Sequence, residues 1–366
     1  MKMIRATTLT AWFVFLLFGL QTAYAQTNYP TPAEGDYQVK DFHFASGESL
    51  PVLNLHYTTL GKPVTDAKGR TINAILIMHG TTGSGRNFLS ETFAGKLFGK
   101  GQLLDAEKYF IILPDGIGHG KSSKPSNGLH MKFPRYGYDD MVKADYLLLT
   151  QHLNVNHARL VMGTSMGGMH TWVWGYTYPD FMDALMPLAS LPVEIAGRNR
   201  IIRKMAIDMI ESDPEWKGGE YAQQPKVGLT GAISSLLFMT SSPLQWQKSA
   251  PTRAQAEAML NRLRDRYLTT LDANDFIYQF DASRDYDPAP HLSKITAPLF
   301  AINSADDQVN PPEQGLMEQH IGEVKKGRYI LLPVSDKTNG HGTHSLPAVW
   351  GQYLEELLRV SAVNNN

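Results

Sequence analysis

A single serine between glycines stands at residues 163–167, where the chain reads GTSMG directly after the apolar run ARLVM. A serine hydroxyl attacks a carbonyl when a neighbouring base takes its proton. The G-x-S-x-G pattern serves this chemistry when it joins a strand to a helix, because the small residues allow a sharp turn that exposes the serine. We therefore predict that Ser165 is a nucleophile on a strained turn, the alternative being an ordinary turn that contains serine.

The base needs an orienting acid, and in this arrangement acid and histidine follow the serine along the chain, each after a late strand. Two aspartates, Asp306 and Asp307, follow the apolar run LFAIN. An acid four residues before a proline is the recurring form of this loop, which selects Asp307 because Pro311 follows. We expect Asp306 and the later Asp336 to be solvated loop carboxylates.

The segment LLPVSDKTNGHGTH offers two candidates for the base, His341 and His344. A preceding glycine and a helix shortly afterwards favour His341. His344 is interpreted either as a second polar group in the pocket or as a residue at the start of that helix. An H-x-x-H metal site is disfavoured because the segment lacks the glutamate of a zinc-binding helix.

Acyl transfer also needs donors for the oxyanion that forms on the carbonyl oxygen. The backbone N–H of Met166, next to the nucleophile, is one predicted donor. The second is the N–H of Thr81 in the loop MHGTTGSGRNF, whose alternative interpretation is a plain glycine-rich strand exit. The stretch GIGHGKSS lacks the spacing of a dinucleotide or phosphate loop, so no cofactor-binding or metal site is predicted.

The elements that must position these residues alternate between strand and helix. Strand-like apolar runs lie at 74–80, 109–120, 158–163, 183–190, 297–303 and 327–333. Apolar residues at helical spacing lie at 139–153, 166–179 and 346–360. This alternation predicts an α/β fold with a mainly parallel sheet covered by helices on both faces. Residues 191–292 read as helices alone, including one opened by Thr252 with Gln255 as a capping box. We interpret them as a lid inserted into a core of 26–190 and 293–366; a second independent domain is the alternative.

Composition limits the partners. The 366-residue chain is 43% hydrophobic and 19% charged, with a net charge of −1, which gives no electrostatic reason to bind nucleic acid. It has no cysteine, so disulfides and thiolate metal sites are excluded.

The first 25 residues read as a signal peptide. Lys2 and Arg5 precede an apolar stretch at 11–20, and small residues allow cleavage after Ala25. The alternative is a membrane anchor, but the stretch is too short to span a bilayer comfortably. We expect a secreted or periplasmic protein without a stable membrane anchor.

Several segments together resemble the homoserine O-acetyltransferase family of α/β-hydrolase-fold proteins. They are NAILIMHGTTGS, YDDMVKADYLLLTQHL, GTSMGGMHTWVWGYTYPD, RKMAIDMIESDPEWKGGEY and SADDQVNPPEQ. The resemblance implies Ser165 as nucleophile, Asp307 and His341 as its partners, and a helical lid above the site. Because many members of that family dimerise through the lid, it also implies a homodimer.

The chain departs from that family where an amino-acid substrate would be recognised. Gly342 stands where family members carry an acid after the histidine, and Asp139 where they tend to have an arginine. The stretch ASLPVEI has no arginine either, and the next one is Arg198. We therefore expect an exported serine hydrolase that cleaves a small-molecule carboxylic ester, or less readily a lactone or amide, through an acyl-enzyme. An acyltransferase with another acceptor is the second hypothesis and a catalytically silent binding protein the third.

Overall fold

The computed structural model describes residues 28–362, so the predicted signal peptide lies outside the described part of the chain. Eight strands form one sheet in the order β1-β2-β4-β3-β5-β6-β7-β8. From β4 to β8 all neighbours are parallel, whereas β1, β2 and β4 pair antiparallel. The strands are β1 Ala33–His43, β2 Ser49–Leu60, β3 Ala74–Met78, β4 Phe110–Pro114, β5 Leu160–Thr164, β6 Leu185–Leu188, β7 Leu299–Ser304 and β8 Gly327–Leu332.

Ten α-helices accompany the sheet in residues 28–362. They are α1 Ala94–Leu97, α2 Tyr138–Leu147, α3 Met166–Thr177, α4 Gly197–Glu211, α5 Lys226–Met239, α6 Pro243–Ser249, α7 Arg253–Leu268, α8 Ala273–Asp281, α9 Leu316–His320 and α10 Pro347–Val360. The predicted fold class is confirmed. The antiparallel β1–β2 hairpin was not predicted, because β1 is a polar strand with most of its residues exposed or half-buried.

The sheet is buried on both faces, as its central strands require. Along β3, Leu76 and Met78 belong to one apolar cluster, whereas Ile75 and Ile77 belong to the other. This alternation is the two-residue period of a strand. The first cluster contains Trp172 of α3, and the second contains Trp350 of α10, so helices cover both sides.

Five helices, α4 to α8, lie between β6 and β7 and are called the helical insertion. They share an apolar cluster of their own, which also takes in Val309 from the loop after β7. Thr252 caps α7, and its side chain and that of Gln255 form the predicted capping box. The division of the chain at residues 190 and 293 stays a prediction.

The longest α-helix in residues 28–362, α7, has 16 residues. No single helix there is both long and apolar enough to cross a membrane. Helices α5 and α6 meet the criterion only as a pair, across a bend of 107°.

Candidate active site

Ser165 lies between the end of β5 and the start of α3 with φ 55° and ψ −112°. Few residues other than glycine adopt a positive φ, so the turn holds the serine in a strained conformation. The glycines on either side make this turn possible. A Cβ at Gly163 would lie 2.2 Å from the carbonyl oxygen of Gly167, and one at Gly167 would lie 2.0 Å from that of Met78. The strand, the turn and the helix therefore approach so closely that no larger residue fits.

The structure brings Ser165, His341 and Asp307 together. The Oγ of Ser165 lies 2.8 Å from Nε2 of His341, and Nδ1 of His341 lies 2.9 Å from Oδ2 of Asp307. This geometry lets the serine hydroxyl donate to the imidazole while the imidazole donates to the carboxylate. The three residues follow the carboxyl ends of the strands β5, β7 and β8. In a parallel sheet these ends lie on one side, which is called the sheet edge.

Asp307 is buried but well supplied with hydrogen bonds. Its Oδ1 accepts from the Val309 backbone N–H at 2.7 Å, and its Oδ2 accepts from the Asn310 side chain at 3.1 Å. Burial works to raise the pKa of Asp307, but the charge and hydrogen bond of His341, with the other two donors, outweigh it and hold the pKa below its ordinary value. The carboxylate therefore stays ionised beside the imidazole, as an orienting acid must.

The expectation that Asp306 is a solvated loop carboxylate is wrong. Its side chain is buried, and Oδ2 accepts from the Gly340 N–H at 2.9 Å, from Thr338 Oγ1 at 3.1 Å and from Ser242 Oγ at 3.3 Å. Gly340 directly precedes His341, and Ser242 lies between α5 and α6. Asp306 thus ties the histidine loop to the helical insertion, which covers it from water.

The other two alternatives lie where the sequence suggested. Asp336 is on the surface, paired with Lys248 at 2.5 Å. His344 lies in the wall of the cavity described below, edge-on to His341, and its Nδ1 is 2.8 Å from Ser345 Oγ. Burial lowers the pKa of His344 to about 3, so it is a neutral polar group near neutral pH.

The two residues predicted to supply the oxyanion donors lie next to the serine in the chain or in the wall of the same cavity. Met166 begins α3, so its N–H belongs to the first turn, where backbone donors lack a partner within the helix. Thr81 lines the same cavity as Ser165, and its hydroxyl is buried without a hydrogen-bond partner among the described residues. The loop before it is fixed by His79, whose Nε2 accepts from the Gly116 N–H at 3.0 Å.

A cavity of about 320 Å³ opens above Ser165. Its walls come from two parts of the chain. The sheet-edge loops contribute Ser165, His341 and Thr81. The helical insertion contributes a mostly apolar wall consisting of Arg203, Leu236, Met239, Thr240, Tyr267 and Phe280.

Arg203 is the wall residue that the sequence reasoning missed. In α4 its buried companions are Ala206, Ile207 and Ile210. These positions follow at i+3, i+4 and i+7, so the helical period alone places this arginine on the buried face.

Within residues 28–362, no group of three or more metal-ligating side chains is close enough to hold an ion.

Comparison with known proteins agrees with this geometry. The family model described as "alpha/beta hydrolase fold" matches residues 73–329. A homoserine O-acetyltransferase from Moorella thermoacetica is 34% identical, over 86% of this chain and 94% of the relative. One from Pelobacter propionicus is 30% identical, over 81% and 87%. This chain belongs to the homoserine O-acetyltransferase-like family of α/β-hydrolase-fold proteins.

Solved structures with this fold include both transferases and hydrolases. A homoserine O-acetyltransferase from Bacillus anthracis superposes with a TM-score of 0.78 at 21% identity, covering 90% of this chain and 98% of that one. An acetylester hydrolase from Corynebacterium glutamicum gives 0.77 at 22% identity, covering 90% and 96%. At such identities these two show the fold alone.

Membership makes the protein an enzyme of the α/β-hydrolase superfamily, an esterase or an acyltransferase. Two departures from the family pattern now have positions. Gly342 lines the cavity beside the histidine and offers no side chain to hold an amine. Asp139 is not among the residues that line this cavity, and its carboxylate accepts from Tyr176 at 3.3 Å.

Proposed function

We propose that the protein is a serine esterase that hydrolyses a small-molecule carboxylic ester, or less readily a lactone or amide, through an acyl-enzyme on Ser165. The observation that carries this proposal is the hydrogen-bonded series Ser165–His341–Asp307 facing a cavity. A serine on an ordinary surface turn has neither a base at 2.8 Å nor a buried acid behind that base.

The reaction has two halves. His341 takes the proton of Ser165 as Oγ attacks the ester carbonyl, and the N–H groups of Met166 and Thr81 stabilise the oxyanion. His341 then gives this proton to the departing alkoxide, which leaves as the alcohol. A water molecule attacks the acyl-enzyme, His341 takes the water's proton and returns it to Oγ, and the carboxylic acid leaves. Asp307 holds the imidazole in the reacting tautomer and stabilises its positive form.

Hydrolysis is preferred over acyl transfer because the carboxylate that would hold the amine of an amino-acid acceptor is missing. Gly342 contributes no carboxylate to the cavity, and Asp139 is not part of its walls. The second candidate, an acyltransferase with another acceptor, is favoured by relatives named homoserine O-acetyltransferase at 30–34% identity.

A partition experiment separates the two. The purified protein is given nitrophenyl esters from acetate to laurate, with and without alcohol or amine acceptors, beside Ser165→Ala. We expect the free acid as the main product and no turnover in the variant, and the chain length at which kcat/KM falls measures how much of an acyl chain the cavity of about 320 Å³ accepts. An acylated acceptor as the main product would favour the transferase. No turnover and no covalent labelling of the wild type would favour a silent binding protein.

We also propose that the enzyme is exported and dimerises through the helical insertion. The N-terminal pattern supports export, and the test is whether protein recovered from the periplasm or medium begins at Gln26. Large apolar side chains support dimerisation: Ile201 of α4 is 60% exposed and Phe238 of α5 is 67% exposed. Light scattering should give twice the mass of one mature chain, and Phe238→Asp should reduce it to one.

A further inference from the structure

One polar group in the cavity is unexplained by the esterase chemistry. Arg203 is only 3% exposed, lines the cavity that contains Ser165, and keeps its Nη1 buried without a hydrogen-bond partner in residues 28–362. Its Nε donates to Oδ1 of Asn199 at 2.8 Å, and its guanidinium lies 5.5 Å from the centre of the Phe280 ring. These contacts fix the side chain. The Tyr138 hydroxyl is a further neighbour that favours the charge of Arg203, although neither this hydroxyl nor Nη1 has a partner at hydrogen-bond geometry in residues 28–362.

No carboxylate balances this charge: among the described residues, Arg203 has no ion pair with an aspartate or glutamate within 4.0 Å. The half-buried Arg284, by contrast, pairs with Asp281 at 3.4 Å and Asp285 at 3.0 Å. Burial lowers the pKa of Arg203, Tyr138 opposes this, and the positive charge of Arg200 adds to the lowering. The folded protein thus holds a guanidinium in surroundings that disfavour its charge.

A buried, unpaired charge is costly, and a guanidinium presents its donors in a fork that matches a carboxylate. The neighbouring wall residues Leu236, Met239 and Phe280 are apolar, and a charge pair is stronger where water is scarce. An anionic group that entered the cavity would therefore balance the charge of Arg203 and accept from the part of its guanidinium that reaches the cavity, since Nη1 itself is enclosed by protein.

We propose that Arg203 forms an anion subsite and that the ester substrate carries a carboxylate in addition to the bond that is cleaved. This inference rests on the proposed esterase function and adds the substrate class to it. The carboxylate belongs either to the acyl part, as in a monoester of a dicarboxylic acid, or to the alcohol part, as in an acylated hydroxy acid. Both present the same chemistry to the guanidinium.

Two pairs of size-matched esters distinguish these sources. The acyl pair is mono-nitrophenyl glutarate and nitrophenyl 5-methylhexanoate, in which an isopropyl end replaces the carboxylate. The alcohol pair is the acetate ester of 3-hydroxybutyrate and that of its primary amide. We expect kcat/KM to be at least tenfold higher for the charged member of one pair, and that pair identifies the part that carries the carboxylate.

Three variants test the role of Arg203 itself. Arg203→Gln should lower the charged-to-neutral ratio of kcat/KM at least tenfold. Arg203→Lys should lower it less, because an ammonium keeps the charge but loses the two-pronged geometry. Lys204→Gln is the matched control: it removes a positive charge from the next position of α4, where the side chain is 61% exposed and paired with Asp208, and should keep the wild-type ratio.

The outcomes separate the subsite from the esterase itself. If wild type hydrolyses the neutral esters but prefers neither charged member, the subsite is wrong and the esterase function stands. If wild type hydrolyses none of the four esters, the proposed function fails first. A ratio unchanged in Arg203→Gln would overturn the subsite; if that variant does not fold, an unchanged ratio in Arg203→Lys would do the same.

Discussion

The two walls of the cavity differ in how completely their charged groups are paired. On the sheet-edge wall, Ser165, His341 and Asp307 are joined by hydrogen bonds of 2.8 and 2.9 Å, and Asp307 accepts two more. On the wall from the helical insertion, Arg203 leaves a buried nitrogen without a partner in the part of the chain described. The catalytic groups of the first wall are paired without a ligand, although the Thr81 hydroxyl there is not, whereas we propose that the charge of Arg203 is balanced only when a ligand binds.

This difference indicates a division of roles. Groups that move protons must be positioned before substrate arrives, because a small error in their geometry slows the reaction strongly. Groups that select a substrate gain most when they are satisfied by the substrate alone, because a wrong ligand then leaves them unpaired. Sheet-edge loops suit the first task, and an inserted group of helices suits the second.

The adjacent aspartates provide the strongest test of this division. Asp307→Asn should lower kcat by about 10⁴-fold, because an amide favours the wrong imidazole tautomer. Asp306→Asn should lower kcat far less, because Asp306 touches the histidine loop and Ser242 but not the imidazole. Steady-state hydrolysis of one nitrophenyl ester by both variants measures the contrast, and equal losses would remove the distinction between them.

Asp306→Asn should instead appear in stability. It exchanges one buried acceptor oxygen for a donor among the hydrogen bonds to Gly340, Thr338 and Ser242, which costs about 1–3 kcal/mol of unfolding free energy. Denaturant unfolding of Asp306→Asn beside wild type measures this cost. An unchanged midpoint would contradict the role of Asp306 as a tie between the two walls.

The sheet-edge wall should also tolerate no added atom at its tightest contact. Gly167→Ala places a Cβ about 2.0 Å from the Met78 carbonyl oxygen, and overpacking of this kind typically costs about 1–3 kcal/mol or more. Gly322→Ala is the matched control, because its Cβ meets nothing within 4 Å. Thermal unfolding of both should show a clear loss for the first alone. Similar melting temperatures would mean that the turn at Ser165 can relax to accept the extra methyl group.

In α3, after the turn at Ser165, the buried His170 should make the stability of the protein depend on pH. Burial, with a smaller contribution from His79, lowers the pKa of His170 from 6.5 to about 3. In the unfolded chain His170 binds a proton near pH 6.5, whereas in the folded chain it does not. The stability that neutral His170 contributes to the folded protein is therefore present above that pH and is lost as pH falls towards 3. Between these values the loss per group is about 1.4 kcal/mol per pH unit.

His170→Gln should reduce the slope of unfolding free energy against pH by the contribution of one proton. Urea unfolding between pH 7.5 and 4.5 measures the slope for both proteins. The two slopes should agree above pH 7, where neither state binds this proton. An identical slope at lower pH would show that His170 does not stay neutral in the folded protein.

Much of the fold was predictable because its signals are local. Apolar runs, glycines and capping residues fix β5, the turn at Ser165 and the start of α7 within a few residues of sequence. The order of Ser165, Asp307 and His341 along the chain then follows from the parallel sheet, which brings the ends of its strands to one edge.

What the sequence reasoning missed depends on contacts between distant segments or on a signal it did not weigh. Asp306 lies in a loop with the composition of a solvated turn, and it is buried because distant residues, among them Ser242 and Thr338, close over it. The burial of Arg203 was predictable from the helical period, since this residue falls on the apolar face of α4. Its lack of a carboxylate partner is visible only when the insertion is packed over the sheet edge.

Ser165 is proposed as the nucleophile of a preassembled site, and covalent labelling measures its reactivity. Purified mature protein is treated with a fluorophosphonate beside Ser165→Ala, and the modified peptide is identified by mass spectrometry. We expect a single adduct on Ser165 in the wild type and none in the variant, with the two proteins melting cooperatively. An adduct that persists in Ser165→Ala, or a wild type that does not react, would contradict it.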